Sequence, residues 1–290
     1  MKNRAKNRTF DAYQTRALSI RWTVRVLLII YTIIVLYPLL WNLMSSFKTT
    51  HEILISRTAL PQGFAYDNYL RAFTAANMGG FLLNSIFVVV LSLALLLIFS
   101  VPLSYALARY KFFGSRALEL LFAICLFIQG VYIIIPLYVL MFNLNMLDNL
   151  WALSLVYAST GIPFTSFLLA GYMRTISPSY EEAAKIDGCS NFQILLNIIV
   201  PMAKPGIITV SMLNAMGFWN EYPMALVMLR SPANQTVPIG VANLFEVQRR
   251  ATDFGALYAA LMMVLVPTII IYFIGQRYLI KGIGAGGLKE

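Results

Sequence analysis

Residues 72–108 read AFTAANMGGFLLNSIFVVVLSLALLLIFSVPLSYALA, thirty-seven consecutive positions without an Asp, Glu, Lys or Arg. About 20 apolar residues cross the hydrocarbon of a bilayer as an α-helix, so this run exceeds what one crossing needs. Outward from it lie further charge-free runs at 26–47, 120–147, 149–173 and 254–276, and a run at 205–229 interrupted only by Glu221. Composition agrees: of 290 residues, 59% are hydrophobic and 12% charged, far from soluble usage. The expected fold is an all-α membrane protein of six transmembrane helices, at about 26–47, 81–107, 120–142, 150–172, 205–229 and 255–277. Disorder, collagen, coiled coil and a disulfide scaffold are excluded.

The net charge of +10 raises the question of nucleic acid, but its distribution answers as orientation does in membrane proteins. Seven basic residues precede position 26 against Asp11 alone, which places a basic N-terminal segment, 1–25, in the cytosol. Alternating from there, the cytosolic segments carry 16 Lys and Arg and the outer ones 6, so both termini are expected inside. The first span is expected to stay as an uncleaved anchor, since no small-residue cleavage site follows it. No nucleic-acid partner is expected. One histidine and two cysteines, Cys125 in an apolar run and Cys189 in a polar one, give no metal-ligand set and no disulfide. Prolines within the runs, Pro38, Pro102, Pro136, Pro163 and Pro267, are expected to kink helices.

Between the fourth and fifth runs lies the longest segment predicted to be cytosolic, 174–204. Ser179-Tyr180-Glu181-Glu182 and Ser190-Asn191-Phe192-Gln193 each have the spacing of a capping box, with Pro178 ahead of the first and Gly188 between them. The segment is therefore expected to be helix, turn, helix. Its residues Glu182-Ala183-Ala184, then Gly188, Ile198 and Pro201, stand in the order and spacing of the EAA loop of ABC-importer permeases, which the chain resembles. Ile186-Asp187-Gly188 is typical of the carbohydrate-uptake branch, while Val200 stands where that family usually has leucine. Leu60-Pro61, Asn68-Tyr69 and Phe73, Trp219-Asn220-Glu221-Tyr222, and Gln276-Arg277-Tyr278 before a Gly-rich cytosolic tail at 281–290 extend the likeness to about residue 20, towards the maltose-type permease subunit.

The resemblance implies the type I ABC-importer permease fold in the bacterial inner membrane. It implies a sugar, of two or more rings, taken in by alternating access. It further implies a second permease subunit in a heterodimer, two ATPase subunits holding ATP and Mg, and an external solute-binding protein. ATPase docking would fall to Glu181, Glu182, Ala183, Ala184, Asp187, Gly188, Ile198 and Pro201, the alanines allowing close approach and the glutamates meeting partner cations. The chain itself has no Gly-x-x-x-x-Gly-Lys-Ser/Thr loop and no recognisable catalytic motif, so no cofactor and no enzyme activity of its own are expected. A secondary transporter or channel is the competing class, but such proteins couple ions through intramembrane carboxylates or histidines, and only Glu221 and the boundary residue Glu119 qualify. A permease for glycerol phosphate or another polar solute is the nearer alternative.

Glu221 lies 16 residues past Pro205, roughly 24 Å along a helix and so in the outer part of its run. Two readings are open. Trp219, Asn220 and Glu221 face the translocation path, or Glu221 pairs with an external cation or a backbone amide and holds an outer gate. Depth favours the second. Tyr132, Tyr138, Phe142 and Tyr157 read as packing aromatics.

Overall fold

The structure is a computed structural model describing residues 2–74, 77–128, 130–248 and 253–286, and the side chains of these except 2–20, 246–248, 275 and 277–286. The basic side chains before Arg21, the pair Arg249 and Arg250, the Arg277 and Tyr278 side chains and the last residues of the tail lie outside that description.

Among the described residues the elements are helical. In chain order they are α1 (Lys2–Ser46), α2 (Thr50–Ile55), α3 (Asp67–Thr74), α4 (Met78–Arg109), α5 (Ser115–Cys125), α6 (Ile134–Asn143), α7 (Leu150–Arg174), α8 (Ser179–Ile186), α9 (Asn191–Ile194), α10 (Val200–Met202), α11 (Lys204–Asn220), α12 (Pro223–Met228), α13 (Val237–Gln248) and α14 (Phe254–Gly286). A 3-10 turn, Gly130–Ile133, precedes α6, and a π turn, Leu195–Ile199, joins α9 to α10.

Four helical stretches, Arg21–Ser46, Met78–Arg109, Leu150–Arg174 and Phe254–Ile274, are long and apolar enough to cross a membrane. The count reaches six when α5 with α6, and α9–α10 with α11, are each taken as one bent span. The runs expected as straight spans at 120–142 and 205–229 are therefore interrupted. The first breaks between Cys125 and Gly130; the second ends at Asn220, with Glu221 extended and α12 starting at Pro223. The helices α1, α4, α7 and α14 run unbroken through Pro38, Pro102, Pro163 and Pro267, and Pro136 sits in the first turn of α6, so the breaks fall at other positions. A proline costs one ladder bond, which neighbouring groups can make good in an apolar bundle.

The pairing of α4 with α7 forms the centre. On α4 the buried stripe runs Met78, Phe81, Ser85, Val88, Ser92, Leu96, Ser100 and Ser104, at helical spacing. It is the reverse of a soluble helix: small hydroxyl residues face inward and Leu83, Val90, Ile98 and Phe99 face out. Small inward residues let helix backbones approach, and α7 answers with Ala152, Ser154, Ala158 and Gly161. Along α1, Val26 to Leu40 is exposed and apolar but for Thr32, whose hydroxyl donates to the Leu28 carbonyl of its own helix, a surface suited to hydrocarbon.

The two ends of the bundle are held differently. At one end Arg71 of α3 pairs with Asp253 at 2.8 Å, the Lys48 Nζ, 1% exposed as a residue, donates to the Arg57 carbonyl, and Asp148 ties the loop after α6 to the strip after α12. At the other end lies the segment 174–204.

Candidate functional site

The segment 174–204 carries the greater number of the predicted site residues, and its local chemistry follows from its sequence with one exception. Ser190 caps α9: its Oγ accepts from the Gln193 amide at 3.3 Å, and the Gln193 Oε1 accepts from the Ser190 amide at 2.8 Å. Gly188 has φ +82, the left-handed turn that ends α8, with open space where a Cβ would stand. The expected box at Ser179 does not form. Pro178 occupies the position before α8, so Ser179 is already inside the helix, and its hydroxyl meets that of Ser177 at 2.8 Å.

A second correction concerns which glutamate faces outward. Glu181 is 5% exposed and points into the bundle. One carboxylate oxygen accepts from the Arg109 Nε, and the other from the Tyr105 hydroxyl at 2.9 Å. Arg109 also donates to the Ile176 carbonyl at 2.7 Å. Glu181, expected on the docking surface, thus has its charge answered within the chain and is turned away from that surface. Ala184, one turn on, is buried beside it, packed with Tyr105, Met173, Ile176, Ile194, Leu195, Ile199 and Ala203. Glu182, Ala183, Ile186, Asp187 and Gly188 are exposed, Ile186 at 87%. Ile198 is half-buried in the π turn and Pro201 is exposed on α10. So α8 has an inner face of Glu181 and Ala184 and an outer face of the remaining motif residues, as i, i+3 spacing dictates.

A further bond reinforces this end: Arg174, the last residue of α7, pairs with Glu119 of α5 and donates to the Leu107 carbonyl of α4 at 3.2 Å. Arg109 and Arg174 both stand in last helical turns, where a cation also opposes the negative end of the helix dipole.

The three residues expected at a pore or gate part company. The Trp219 ring is buried, its Nε1 donating to the Val264 carbonyl of α14 at 3.2 Å. The Asn220 amide donates to the Met216 carbonyl of its own helix at 2.8 Å. Glu221 alone reaches a cavity, of about 220 Å³, that it lines with Gly130, Ile134, Tyr157, Thr160 and Met224. Its carboxylate accepts from the Met224 amide at 2.7 Å, the Ala225 amide at 3.0 Å, and the Tyr157 hydroxyl. No cation pairs with it among the described residues. Instead it closes the free amides of α12, the service an acidic group renders at any helix start. Tyr157, read from sequence as a packing aromatic, stacks on Phe218 with 5.4 Å between centroids and also holds this carboxylate. The signal for the break was present: a carboxylate two residues ahead of Pro223 is a helix-start pattern.

Among the described residues, no group of three or more His, Cys, Asp or Glu side chains is placed to hold a metal ion.

Comparison with known proteins bears on both regions. Residues 100–284 match the family described as "Binding-protein-dependent transport system inner membrane component". The chain is 34% identical over 263 residues to the diacetylchitobiose uptake system permease protein NgcG of Streptomyces coelicolor, covering 91% of this chain and 87% of that one. It is 32% identical to the multiple sugar-binding transport system permease protein MsmG of Streptococcus mutans, over 91% and 95% of the two chains. Its fold superimposes on a chain of a bacterial ABC transporter involved in the import of the acidic polysaccharide alginate, with TM-score 0.77, 27% identity and coverage of 87% and 94%. The family match takes in α5 to α14, both carboxylate sites and the whole 174–204 segment, and on that ground the chain belongs to the binding-protein-dependent transport system inner membrane components.

Proposed function

We propose that the chain is the permease subunit of an ABC importer that carries a sugar of two or more rings into the bacterial cytoplasm by alternating access. One observation carries the reading: at one end of an apolar bundle, α8 and α9 present Ile186, 87% exposed, and Phe192, 66% exposed, beside Glu182 and Asp187. Large apolar side chains held out at a polar end are surface for a partner, and charge beside them supplies pairing. In this reading the partner is an ATPase with ATP and Mg, one on each of two permeases. The end bearing 174–204 is cytosolic, six spans place both termini on that side, and a heterodimer forms the pore. An external binding protein delivers the solute. The names of the relatives, one for diacetylchitobiose and one for multiple sugars, support a saccharide.

The test is purification of the membrane complex with its co-expressed neighbours. ATP hydrolysis is expected only when a nucleotide-binding subunit co-purifies, and a sugar-loaded external binding protein is expected to stimulate it. Uptake by the lone reconstituted chain without ATP would replace this reading by a secondary transporter.

A further inference from the structure

We propose that Glu181, Arg109 and Tyr105 form a strut that makes the docking helix α8 and the long helix α4 move as one body, and that Glu181 is thereby a positioning residue for coupling ATP hydrolysis to transport. The inference rests on the permease reading above and assigns Glu181 a task inside the chain, away from the partner surface.

Helix α8 has only eight residues, and non-helical chain flanks it on both sides. Ahead of it runs the non-helical stretch at 176–178, and behind it Gly188 turns with φ +82. Apolar packing of Ala184 alone is non-directional and would let so short an element roll. The polar contacts remove that freedom. Both oxygens of Glu181 are engaged by residues one turn apart on the same face of α4, Tyr105 and Arg109. The same guanidinium grips the Ile176 carbonyl just ahead of α8. A planar guanidinium with several donors fixes direction as well as distance, and here it does so among apolar neighbours with the Arg109 side chain 11% exposed and that of Glu181 7%. With Glu181 and Ala184 turned in, Ile186 and Glu182 are turned out at a set angle.

Helix α4 then carries the displacement away. Its 32 residues make a rod of about 48 Å. Towards the far end the Asn84 amide donates to the carbonyls of Ala233 at 2.8 Å and Gln235 at 2.9 Å, and the Ser85 hydroxyl accepts from the Val237 amide at 2.9 Å. The rod is pinned by polar bonds to the docking helix at one end and to the loop and helix after α12 at the other. A push on α8 is delivered to the opposite face of the membrane.

The experiment uses the full complex with its ATPase, with Cys125 and Cys189 replaced, and spin labels at Lys185 on α8 and Lys111 just past α4. In the otherwise unaltered protein one narrow label distance is expected, unchanged between the nucleotide-free state and the state trapped with ATP and vanadate. Glu181→Ala is expected to keep the ATPase bound yet lose that single distance on trapping. Since this variant leaves Arg109 without its carboxylate, the double variant Arg109→Met with Glu181→Met, which fills the space without charge, is measured beside it and is expected to lose the single distance too. A purely structural role would lower yield or thermal midpoint without making the label distance depend on nucleotide. Narrow, nucleotide-independent distances in both variants, with the ATPase bound, would overturn the strut and leave the permease reading standing. An unaltered chain that retains no ATPase would sink the permease reading and the coupling role together.

Discussion

Glu181, buried, and Glu221, half-buried beside a cavity, are both acidic residues set in an apolar bundle, and the chain satisfies them in opposite ways. Glu181 is answered by a full positive charge from another helix, Arg109, while Glu221 is answered by two amides of the helix start beside it and a tyrosine hydroxyl. An ion pair binds distant elements to each other, since Arg109 and Glu181 stand 72 positions apart. Amide dipoles fix the chain mainly where it already is. The difference assigns a transmitting part to the first carboxylate and a chiefly local one, the turn from α11 into α12, to the second, which the neutral Tyr157 hydroxyl of α7 also tethers.

The largest expected effect breaks the first arrangement. Removing one partner of a buried pair strands a charge, at about 3–5 kcal/mol, whereas replacing both by apolar groups of similar size is often neutral. Arg109→Met alone should therefore lower the thermal midpoint of the detergent-solubilised complex strongly, and the double variant with Glu181→Met should recover most of it. Equal losses in single and double variants would mean that the pair is not the buried unit described.

The second effect is smaller because no net charge is stranded. Tyr157→Phe takes one donor from Glu221 and leaves two amides, and a hydrogen bond to a charged group contributes about 1.5–3 kcal/mol. The stacking on Phe218 survives the change. If Tyr157→Phe costs as much as Arg109→Met, measured in the same way, dipoles and a cation serve these carboxylates equally and the contrast fails.

How far the two sites could be read in advance follows the same division. The motif at 182–201 was legible because its information is local: a capping box at Ser190, a glycine turn, a set spacing. The inward turn of Glu181 was legible in principle, since it shares a face with Ala184 at i, i+3, but its partner 72 positions away on another helix was not. The first capping box does not form: spacing alone does not say which residue is the last outside a helix, and Pro178, not Ser179, holds that place. The apolar runs located the bundle correctly as helical, yet hydropathy is blind to breaks, and the one at 221–222 is held by the Glu221 carboxylate on the first amides of α12 and on the Tyr157 hydroxyl. The cavity is lined from both breaks, by Gly130 and Val131 as well as by Glu221 and Pro223, so the least legible features of the fold are the ones that shape the second site.

A third prediction compares two glycines in the docking region. Gly188 has positive φ and empty space around it, so Gly188→Val acts through backbone strain alone, of order 1–3 kcal/mol. Gly206, at the start of α11, has no such φ, but an added Cβ would stand 2.8 Å from the Tyr172 ring. Gly206→Ala should cost a similar 1–3 kcal/mol by overpacking. The readouts differ: Gly188→Val is expected to weaken ATPase retention with the bundle intact, and Gly206→Ala to lower the thermal midpoint with retention kept. Were the two profiles to coincide, the turn would have no separate role in presenting α8.

The smallest effect belongs to a third carboxylate, Asp148, at the rim on the Glu221 side. Like Glu221 it is half-buried and held by amides, those of Arg230 and Ser231 at 3.0 Å each, but it stands in a loop outside the spans. Partial burial pushes its pKa up, and the hydrogen bonds from Ser231, Arg230 and Asn234 outweigh that and hold it below the ordinary 3.8. A carboxyl whose folded pKa is depressed contributes stability that is fully present above the unfolded value and is lost as pH falls through the folded one. The Asp148 contribution should therefore be constant down to about pH 4 and vanish below it. Because Glu52 and Asp253 are depressed as well, the measurement is the difference in thermal midpoint between the unaltered chain and Asp148→Asn across pH 3 to 7. That difference should shrink towards acid pH, since the amide keeps an acceptor for the same loop and cannot titrate. A difference that stays flat through the acid range would mean that the rim loop draws nothing from the charge of Asp148.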